Sequence, residues 1–210
     1  MTWIKICGIT NVEDALVASS LGVDALGFIF APSPRRMDPH KAREIILEMV
    51  RNLPASPLKI GVFVNEDIRE VRRIAEDCFL DLLQFHGEEP SAYCLQSSLP
   101  VIKAIAVRDP ESLREMEKYP LTSILLDAWD QNRAGGTGKT FNWEMALLAR
   151  QKRDFILSGG LNPGNVARAI HLLRPMGVDV CSGVERAPGE KDRLKMDDFI
   201  KEVRKADEST

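Results

Sequence analysis

Cysteine and histidine are too few and too scattered in this chain to form a recognisable metal site. The 210 residues contain four cysteines, Cys7, Cys78, Cys94 and Cys181, and three histidines. No two cysteines form a C-x-x-C pair, and no cysteine and histidine have the spacing of zinc ligands. We therefore expect reduced thiols, most of them packed in the core, and neither a metal nor another cofactor.

The chain also lacks an excess of charge of one sign and any long apolar segment. Its 28 Lys and Arg against 31 Asp and Glu give a formal charge of -3, which argues against a polybasic surface for nucleic acid or an anionic membrane. The opening MTWIKICGIT has no basic segment followed by an apolar core. We expect neither a signal peptide nor a transmembrane span, and hence a cytoplasmic protein.

Apolar runs that end in helix or turn signals recur about every 26 residues, which is the spacing of one strand and one helix repeated eight times. We predict strands at Trp3–Cys7, Asp24–Phe30, Leu58–Val64, Asp81–His86, Val101–Val107, Leu121–Asp127, Asp154–Ser158 and Val178–Ser182. Helices are predicted to begin near Asn11, Pro39, Asp67, Pro90, Pro110, Asn142, Pro163 and Asp192. The pattern predicts one α/β domain over residues 1–210, a (β/α)₈ TIM barrel, with residues 207–210 frayed.

An open, doubly wound sheet is the competing architecture, and periodicity alone does not exclude it. Side chains capable of chemistry stand at the predicted carboxyl ends of most strands: Cys7, Arg35, Asn65, His86, Asp127, Ser158 and Ser182. A barrel gathers all of these ends around one mouth, whereas an open sheet gathers only those near its switch point. The distribution of polar residues therefore favours the barrel.

Turns of small residues follow the last two predicted strands, at Ser158-Gly159-Gly160 and Ser182-Gly183. Glycine lets a ligand oxygen approach backbone N–H groups without meeting a Cβ. In (β/α)₈ barrels a phosphate site usually lies behind strands 7 and 8. We predict that these turns bind a phosphate group, the alternative being two ordinary turns with helix-capping glycines.

Cys7 ends the first strand on the face that also carries Trp3 and Lys5. A lone cysteine is more often a small buried hydrophobic residue than a base. If Cys7 faces the mouth, Lys5 points into the barrel and needs a carboxylate partner, for which Asp179 on strand 8 is the natural candidate. We hypothesise that Lys5 lowers the pKa of the Cys7 thiol, because the thiolate is the reactive form.

Asp127 closes an apolar strand, where a carboxylate is hard to explain as packing. Desolvation there would raise its pKa and favour a proton donor; the alternative is an Asp that caps the following turn. A substrate between Cys7 and Asp127 would have a base on one side and an acid on the other. That arrangement suits proton transfer without a metal or redox cofactor.

Three further features lie near the predicted mouth. Arg35 and Arg36 follow strand 2 on a proline-stiffened loop, where a guanidinium can hold a carboxylate or phosphate, or can simply be solvated. The segment 135–140 fails the P-loop spacing, so we interpret Gly136 and Gly138 as part of a lid or hinge. His86 is the one histidine at a strand end, and we expect it to have a hydrogen-bonded structural role.

Eight motifs, in order, closely resemble the phosphoribosylanthranilate isomerases of tryptophan biosynthesis. They cover nearly the whole chain: KICGIT at 5–10, GFIF at 27–30, GVFVN at 61–65, QFHGEEP at 84–90, LLD at 125–127, GGTGKTFNW at 135–143, SGGLNP at 158–163 and VDVCSGVE at 178–185. The resemblance implies a single (β/α)₈ barrel. It also implies a cofactor-free Amadori rearrangement of N-(5-phosphoribosyl)anthranilate to 1-(2-carboxyphenylamino)-1-deoxyribulose 5-phosphate.

The resemblance also implies roles for individual residues. Asp127 would be the general acid that protonates the furanose ring oxygen, and Cys7 the general base that takes the C2' proton. Arg35 or Arg36 would hold the anthranilate carboxylate; the loop is one residue shorter than usual in the family, and we favour Arg35. The residues expected to hold the ribose phosphate are Gly159, Gly160, Ser182 and Gly183.

Cys181 departs from the family pattern, because relatives more often carry Ser or Asn at that position. We predict that its thiol can pair oxidatively with that of Cys7 on the neighbouring strand. The alternatives are another phosphate-binding barrel, such as an indoleglycerol phosphate synthase or a pentose phosphate epimerase, or a non-catalytic barrel that binds a phosphorylated ligand. We expect a small phosphorylated anthranilate as substrate and either a monomer or a homodimer.

Overall fold

Eight parallel strands pair in chain order, and the eighth pairs with the first, in a computed structural model that describes residues 1–128 and 143–209. The strands are β1 (Trp3–Cys7), β2 (Ala25–Ile29), β3 (Leu58–Phe63), β4 (Leu82–Phe85), β5 (Val101–Val107), β6 (Ser123–Ala128), β7 (Ile156–Ser158) and β8 (Gly177–Val180). This closed sheet confirms the predicted (β/α)₈ barrel and excludes the open alternative, because a closed barrel has no edge strand.

Helices follow the strands on the outside of the barrel. They are α1 (Val12–Ser20), α2 (Pro39–Asn52), α3 (Ile68–Asp77), α4 (Ser91–Cys94), α5 (Trp143–Arg150), α6 (Val166–Leu173) and α7 (Arg193–Glu208), with 3₁₀ helices at Pro110–Lys118 and Ser182–Val184. A short hairpin, β9 (Glu185–Ala187) and β10 (Glu190–Lys191), precedes α7. Among the described residues, no helix has the length and apolar character needed to cross a membrane.

The start of helix α6 and the end of helix α7 differ from what the sequence suggests. Helix α6 begins at Val166 rather than near Pro163, because Asn162 and Asn165 fold the preceding residues into a turn with their side chains. Helix α7 continues through Glu208, although the sequence suggests fraying from residue 207. There, the Asp207 carboxylate accepts hydrogen bonds from the backbone N–H and the hydroxyl of Thr2, at 2.9 and 2.5 Å.

The barrel interior is a small core separate from the larger one between strands and helices. Among the described residues, its buried apolar side chains are Ala25, Ile60, Ile102, Ala104, Leu125 and Ile156. Trp3 packs against this cluster, so Lys5, on the same face of β1, also points inward. The remaining inward position on that strand is Cys7, at the carboxyl end, where the barrel opens.

Candidate active site

The carboxyl ends of the strands surround one cavity of about 530 Å³. Most of the residues that sequence reasoning singled out line it: Cys7, Arg35, His86, Asp127, Ser158, Gly159, Gly160, Asp179 and Ser182. Asn65 does not line this cavity; its side-chain oxygen instead accepts a hydrogen bond from the Glu88 N–H at 2.7 Å. Barrel closure thus brings residues from β1, β6 and β8 to a single concave site.

Cys7 is buried at the end of β1, in space that the neighbouring strand leaves open. A Cβ on Gly27 would come within 2.7 Å of the Cys7 Sγ, so only glycine fits there without displacing the thiol. Lys5 Nζ donates to Asp179 Oδ1 at 2.8 Å, the pairing suggested by the sequence. Asp179 Oδ2 in turn accepts from the Ser158 hydroxyl at 3.2 Å.

The pKa of the Cys7 thiol is lowered to about 6. The largest cause is a hydrogen bond from the Cys181 thiol; burial acts in the opposite direction, and the charge of Lys5 adds to the lowering. The same hydrogen bond raises the pKa of Cys181. Burial by itself lowers the pKa of Lys5, but attraction to the Asp179 carboxylate outweighs this effect, so that the pKa of Lys5 is raised. The sequence thus suggested the contribution of Lys5 but not the larger one from Cys181.

Asp127 faces the cavity from the end of β6 and is held by His86. The His86 Nε2 lies 3.1 Å from Asp127 Oδ2, and the His86 Nδ1 lies 2.9 Å from Gln84 Nε2. If the Gln84 amide donates to Nδ1, the hydrogen on His86 is on Nε2 and points to the carboxyl group. Asp127 Oδ1 is buried and has no hydrogen-bond partner among the described residues.

Of the two adjacent arginines, only Arg35 lines the cavity, whereas Arg36 is exposed. Arg35 is held by Glu185: its Nε lies 2.7 Å from Oε1 and its Nη2 lies 2.5 Å from Oε2. Nη1 has no protein partner within the described ranges. The wall beside Arg35 is formed by the largely apolar residues Ile29, Ala31, Pro32, Val62 and Val64. A guanidinium next to an apolar wall suits a carboxylate carried on an aromatic ring.

The two glycine turns lie side by side at the ends of β7 and β8. Gly159 and Gly160 have φ values of 87° and 69°, a region that favours glycine. The side chains of Asn162 and Asn165 both donate to the Gly160 carbonyl oxygen, at 3.3 and 3.0 Å. At Gly183 a Cβ would lie 1.9 Å from the Leu161 carbonyl oxygen. The second turn therefore packs so closely against the chain after the first that it has no space for a side chain.

We expect Gly183→Ala to weaken binding of a phosphorylated substrate. The added methyl group must push the second turn away from Leu161, and loss of one or two hydrogen bonds to a charged phosphate should raise KM roughly 10- to 100-fold. Steady-state kinetics measure this change. Gly22→Ala is the control for added backbone strain away from the site, because Gly22, unlike Gly183, has a positive φ of 80° and a Cβ there meets no atom within 4 Å. An unchanged KM in Gly183→Ala would contradict a phosphate site at this turn.

Some functional side chains were not indicated by the sequence, and two predicted ones fall outside the described residues. Gln84, Glu185 and Lys191 were missed. A partly buried cation such as Arg35 needs a carboxylate partner, yet nothing local in the sequence identifies Glu185 as that partner. Gly136 and Gly138, predicted to form part of a lid, lie in the segment 129–142, which the structure does not describe.

A closed barrel with a thiol and a carboxyl group facing one cavity, beside paired glycine turns, defines an acid–base enzyme of the phosphate-binding (β/α)₈ class. A family model described as "N-(5'phosphoribosyl)anthranilate (PRA) isomerase" matches residues 4–202. The chain therefore belongs to the phosphoribosylanthranilate isomerase family, which confirms the resemblance seen in its motifs.

Relatives and solved structures agree with this assignment. The N-(5'-phosphoribosyl)anthranilate isomerase of Pelobacter propionicus is 48% identical over 202 residues, which cover 96% of this chain and 95% of the relative. A crystal structure of phosphoribosyl anthranilate isomerase from Thermotoga maritima superposes with a TM-score of 0.90 at 42% identity, covering 98% of this chain and 100% of the other. A phosphoribosyl anthranilate isomerase in complex with reduced 1-(o-carboxyphenylamino)-1-deoxyribulose 5-phosphate has a TM-score of 0.86 at 41% identity, with the same coverage.

Proposed function

We propose that Cys7 is the general base and Asp127 the general acid of the reaction that this family catalyses. The enzyme is an isomerase of tryptophan biosynthesis that converts N-(5-phosphoribosyl)anthranilate into 1-(2-carboxyphenylamino)-1-deoxyribulose 5-phosphate. The observation that carries the assignment is that both side chains line one cavity, between the glycine turns and the Arg35 guanidinium.

The first step opens the sugar ring. The Asp127 carboxyl group donates a proton to the furanose oxygen as the C1'–O bond breaks, and the anthranilate nitrogen lone pair forms the C=N bond of a protonated Schiff base. His86 stabilises the resulting carboxylate through its contact with Oδ2 at 3.1 Å. A hydrogen bond that strengthens as negative charge develops contributes to catalysis because it favours the transition state over the ground state.

The second step moves a proton from C2'. The Cys7 thiolate takes this proton, the C2'–H electron pair forms the C1'=C2' bond, and the C=N electrons return to nitrogen. The product is an enolamine, which tautomerises to the ketone when C1' gains a proton and the 2'-hydroxyl loses one. With a thiol pKa of about 6, Cys7 is mostly thiolate at neutral pH, as a general base must be before it reacts.

Substrate binding uses the two sides of the cavity differently. We assign the ribose phosphate to the backbone N–H groups of Gly159, Gly160 and Gly183 and to the Ser182 hydroxyl. The anthranilate carboxylate is assigned to Arg35, and its ring to the apolar wall next to that arginine. Holding the substrate at both ends places C1' and C2' between the acid and the base, which lowers the entropic cost of reaction.

A fluorescence assay of the purified protein tests the function. N-(5-phosphoribosyl)anthranilate can be generated in situ, and turnover is followed by the change in anthranilate fluorescence. We expect saturable turnover that dialysis against a metal chelator leaves unchanged, because acid and base side chains supply all of the chemistry. Absence of turnover would support a non-catalytic barrel, whereas turnover lost with the chelator and restored by a divalent cation would contradict a cofactor-free reaction.

We also propose a cytoplasmic location, because a reactive thiol such as Cys7 needs a reducing compartment to stay available. All four cysteines are free in the structure. Oxidative pairing of Cys7 with Cys181, and assembly as a monomer or a homodimer, stay predictions of the sequence.

A further inference from the structure

A buried lysine and a buried glutamate behind the cavity have no part in the steps above. Lys191 and Glu185 lie on the hairpin β9–β10, just after the second glycine turn. Their side chains are 0% and 4% exposed, and Lys191 Nζ donates to Glu185 Oε1 at 2.9 Å. Burial of two charges is costly, so an ion pair at this depth is weak evidence for stability alone and calls for another explanation.

Lys191 joins the ends of two neighbouring strands. Its Nζ donates to the carbonyl oxygens of Cys7 and Cys181, at 2.6 and 3.2 Å. The register between β1 and β8 ends at Ile6 and Val180, one residue before these two cysteines. The ammonium group therefore bridges the two chains just where their own pairing stops. It fixes the backbone that carries the thiols of both Cys7 and Cys181.

Glu185 holds the guanidinium on the other side of the ammonium group. Its two oxygens accept from Arg35 Nε and Nη2, and Oε1 is shared with Lys191. Burial alone would raise the pKa of Glu185, but the hydrogen bonds from Arg35 and Lys191 outweigh it and lower that pKa. Glu185 is therefore a carboxylate. It engages one edge of Arg35, so that Nη1 is left for a ligand.

The hairpin itself is anchored from three sides. The backbone N–H of Lys191 donates to Asp14 Oδ2 at 2.9 Å, and Lys195 Nζ donates to the Glu185 carbonyl oxygen at 2.7 Å. The Thr10 hydroxyl donates to the Gly189 carbonyl oxygen. A fixed hairpin can hold catalytic groups within the small tolerance that efficient catalysis requires.

We propose that Lys191 and Glu185 are positioning residues of the isomerase, Lys191 for the Cys7 base and Glu185 for the Arg35 guanidinium. Neither needs to contact the substrate. Lys191 sets the distance from the thiolate to the C2' proton, and Glu185 sets the direction in which Arg35 presents its remaining N–H groups. The inference rests on the roles proposed above for Cys7 and Arg35.

The two residues should affect different kinetic constants. In Lys191→Met the Cys7 and Cys181 carbonyls lose their common donor, and a small displacement of the base should lower kcat by about 10- to 100-fold with little change in KM. The pH below which kcat/KM falls, the acidic limb of its pH profile, should also move to a higher value, because Cys181 would no longer be held in place to donate to Cys7.

In Glu185→Gln the guanidinium of Arg35 loses its charged partner, and KM should rise by about tenfold with little change in kcat.

A substrate without the carboxylate separates positioning of Arg35 from general damage. N-(5-phosphoribosyl)aniline, generated in situ from aniline and ribose 5-phosphate, lacks the group that Arg35 would bind. We expect Glu185→Gln to leave KM for this substrate close to that of the unaltered enzyme. Lys59→Met is the control for loss of an ion pair, because Lys59 contacts Asp81 at 2.7 Å at the opposite end of the barrel.

The outcomes distinguish this inference from the proposed function. If Lys191→Met lowers only the unfolding temperature, with kcat and the acidic limb unchanged, Lys191 is structural and the inference is wrong for it. If Lys191→Met does not fold, Lys191→Arg is tested in its place, because arginine keeps the charge but displaces the donor atoms. An unchanged kcat and an unchanged acidic limb in Lys191→Arg would overturn the inference.

For Glu185, an equal rise in KM for both substrates in Glu185→Gln would overturn the inference. Full activity of Cys7→Ala would instead contradict the proposed function.

Discussion

Asp127→Asn is expected to lower kcat/KM by about 10²- to 10⁴-fold, the usual contribution of general acid catalysis. Asparagine has nearly the same shape as aspartic acid, and its oxygen can still accept from His86 Nε2. What it loses is the proton that must reach the furanose oxygen as the ring opens. Steady-state kinetics with the natural substrate measure the loss, and most of it should appear in kcat, because no assigned binding contact involves Asp127.

Asp81→Asn provides the matched control for this substitution. Asp81 accepts from the backbone N–H of Lys59 at 2.8 Å at the amino-terminal end of the barrel, far from the cavity. The same change of a carboxylate to an amide there should leave kcat and KM unchanged. If Asp127→Asn kept more than about a tenth of the activity, Asp127 would be excluded as the acid, and His86, the other titratable group at that wall, would be the next candidate.

Replacement of Cys7 is expected to have an effect of similar size. Cys7→Ala removes the base outright, and Cys7→Ser replaces a thiolate with a hydroxyl that stays protonated at neutral pH, so each should lower kcat/KM by about 10²- to 10⁴-fold. In the unaltered enzyme the thiol is protonated below its pKa and cannot act as a base. kcat/KM should therefore fall as the pH drops below about 6. This acidic limb should be absent from the residual activity of Cys7→Ser.

Cys78→Ser tests whether loss of any buried thiol has the same consequence. Cys78 is also fully buried, but burial raises its pKa to about 11, and its thiol donates to the Pro39 carbonyl oxygen at 3.2 Å between α2 and α3. We expect normal kinetics and a normal pH profile from this variant. An acidic limb that persists unchanged in Cys7→Ser would show that another group titrates there and that Cys7 is not the base.

Much of the architecture follows from local patterns in the sequence. β1 and β5 have the predicted bounds, and the other strands begin or end within two residues of them. Asn11, Asp38, Asp67 and Asp192 cap their helices with side-chain oxygens. These features depend on interactions between residues close together in the chain, so their signals are local too. Local signals do not fix the type or length of every helix, because Pro110–Lys118 is a 3₁₀ helix and α4 spans only Ser91–Cys94.

The sequence by itself determined the barrel, the ends of its strands and the residues at those ends. The signals for these features, which are the spacing of apolar residues, the helix caps and the glycine turns, each lie within a short segment. Only the tertiary structure decided which of those residues meet. His86 and Asp127 are 41 residues apart, Arg35 and Glu185 are 150 apart, and Lys191 and the Cys7 carbonyl are 184 apart. Barrel closure brings these groups together, and their hydrogen bonds and ion pairs then set the protonation and orientation of the acid, the base and the guanidinium. No short segment contains both members of such a pair, so local patterns could not reveal them.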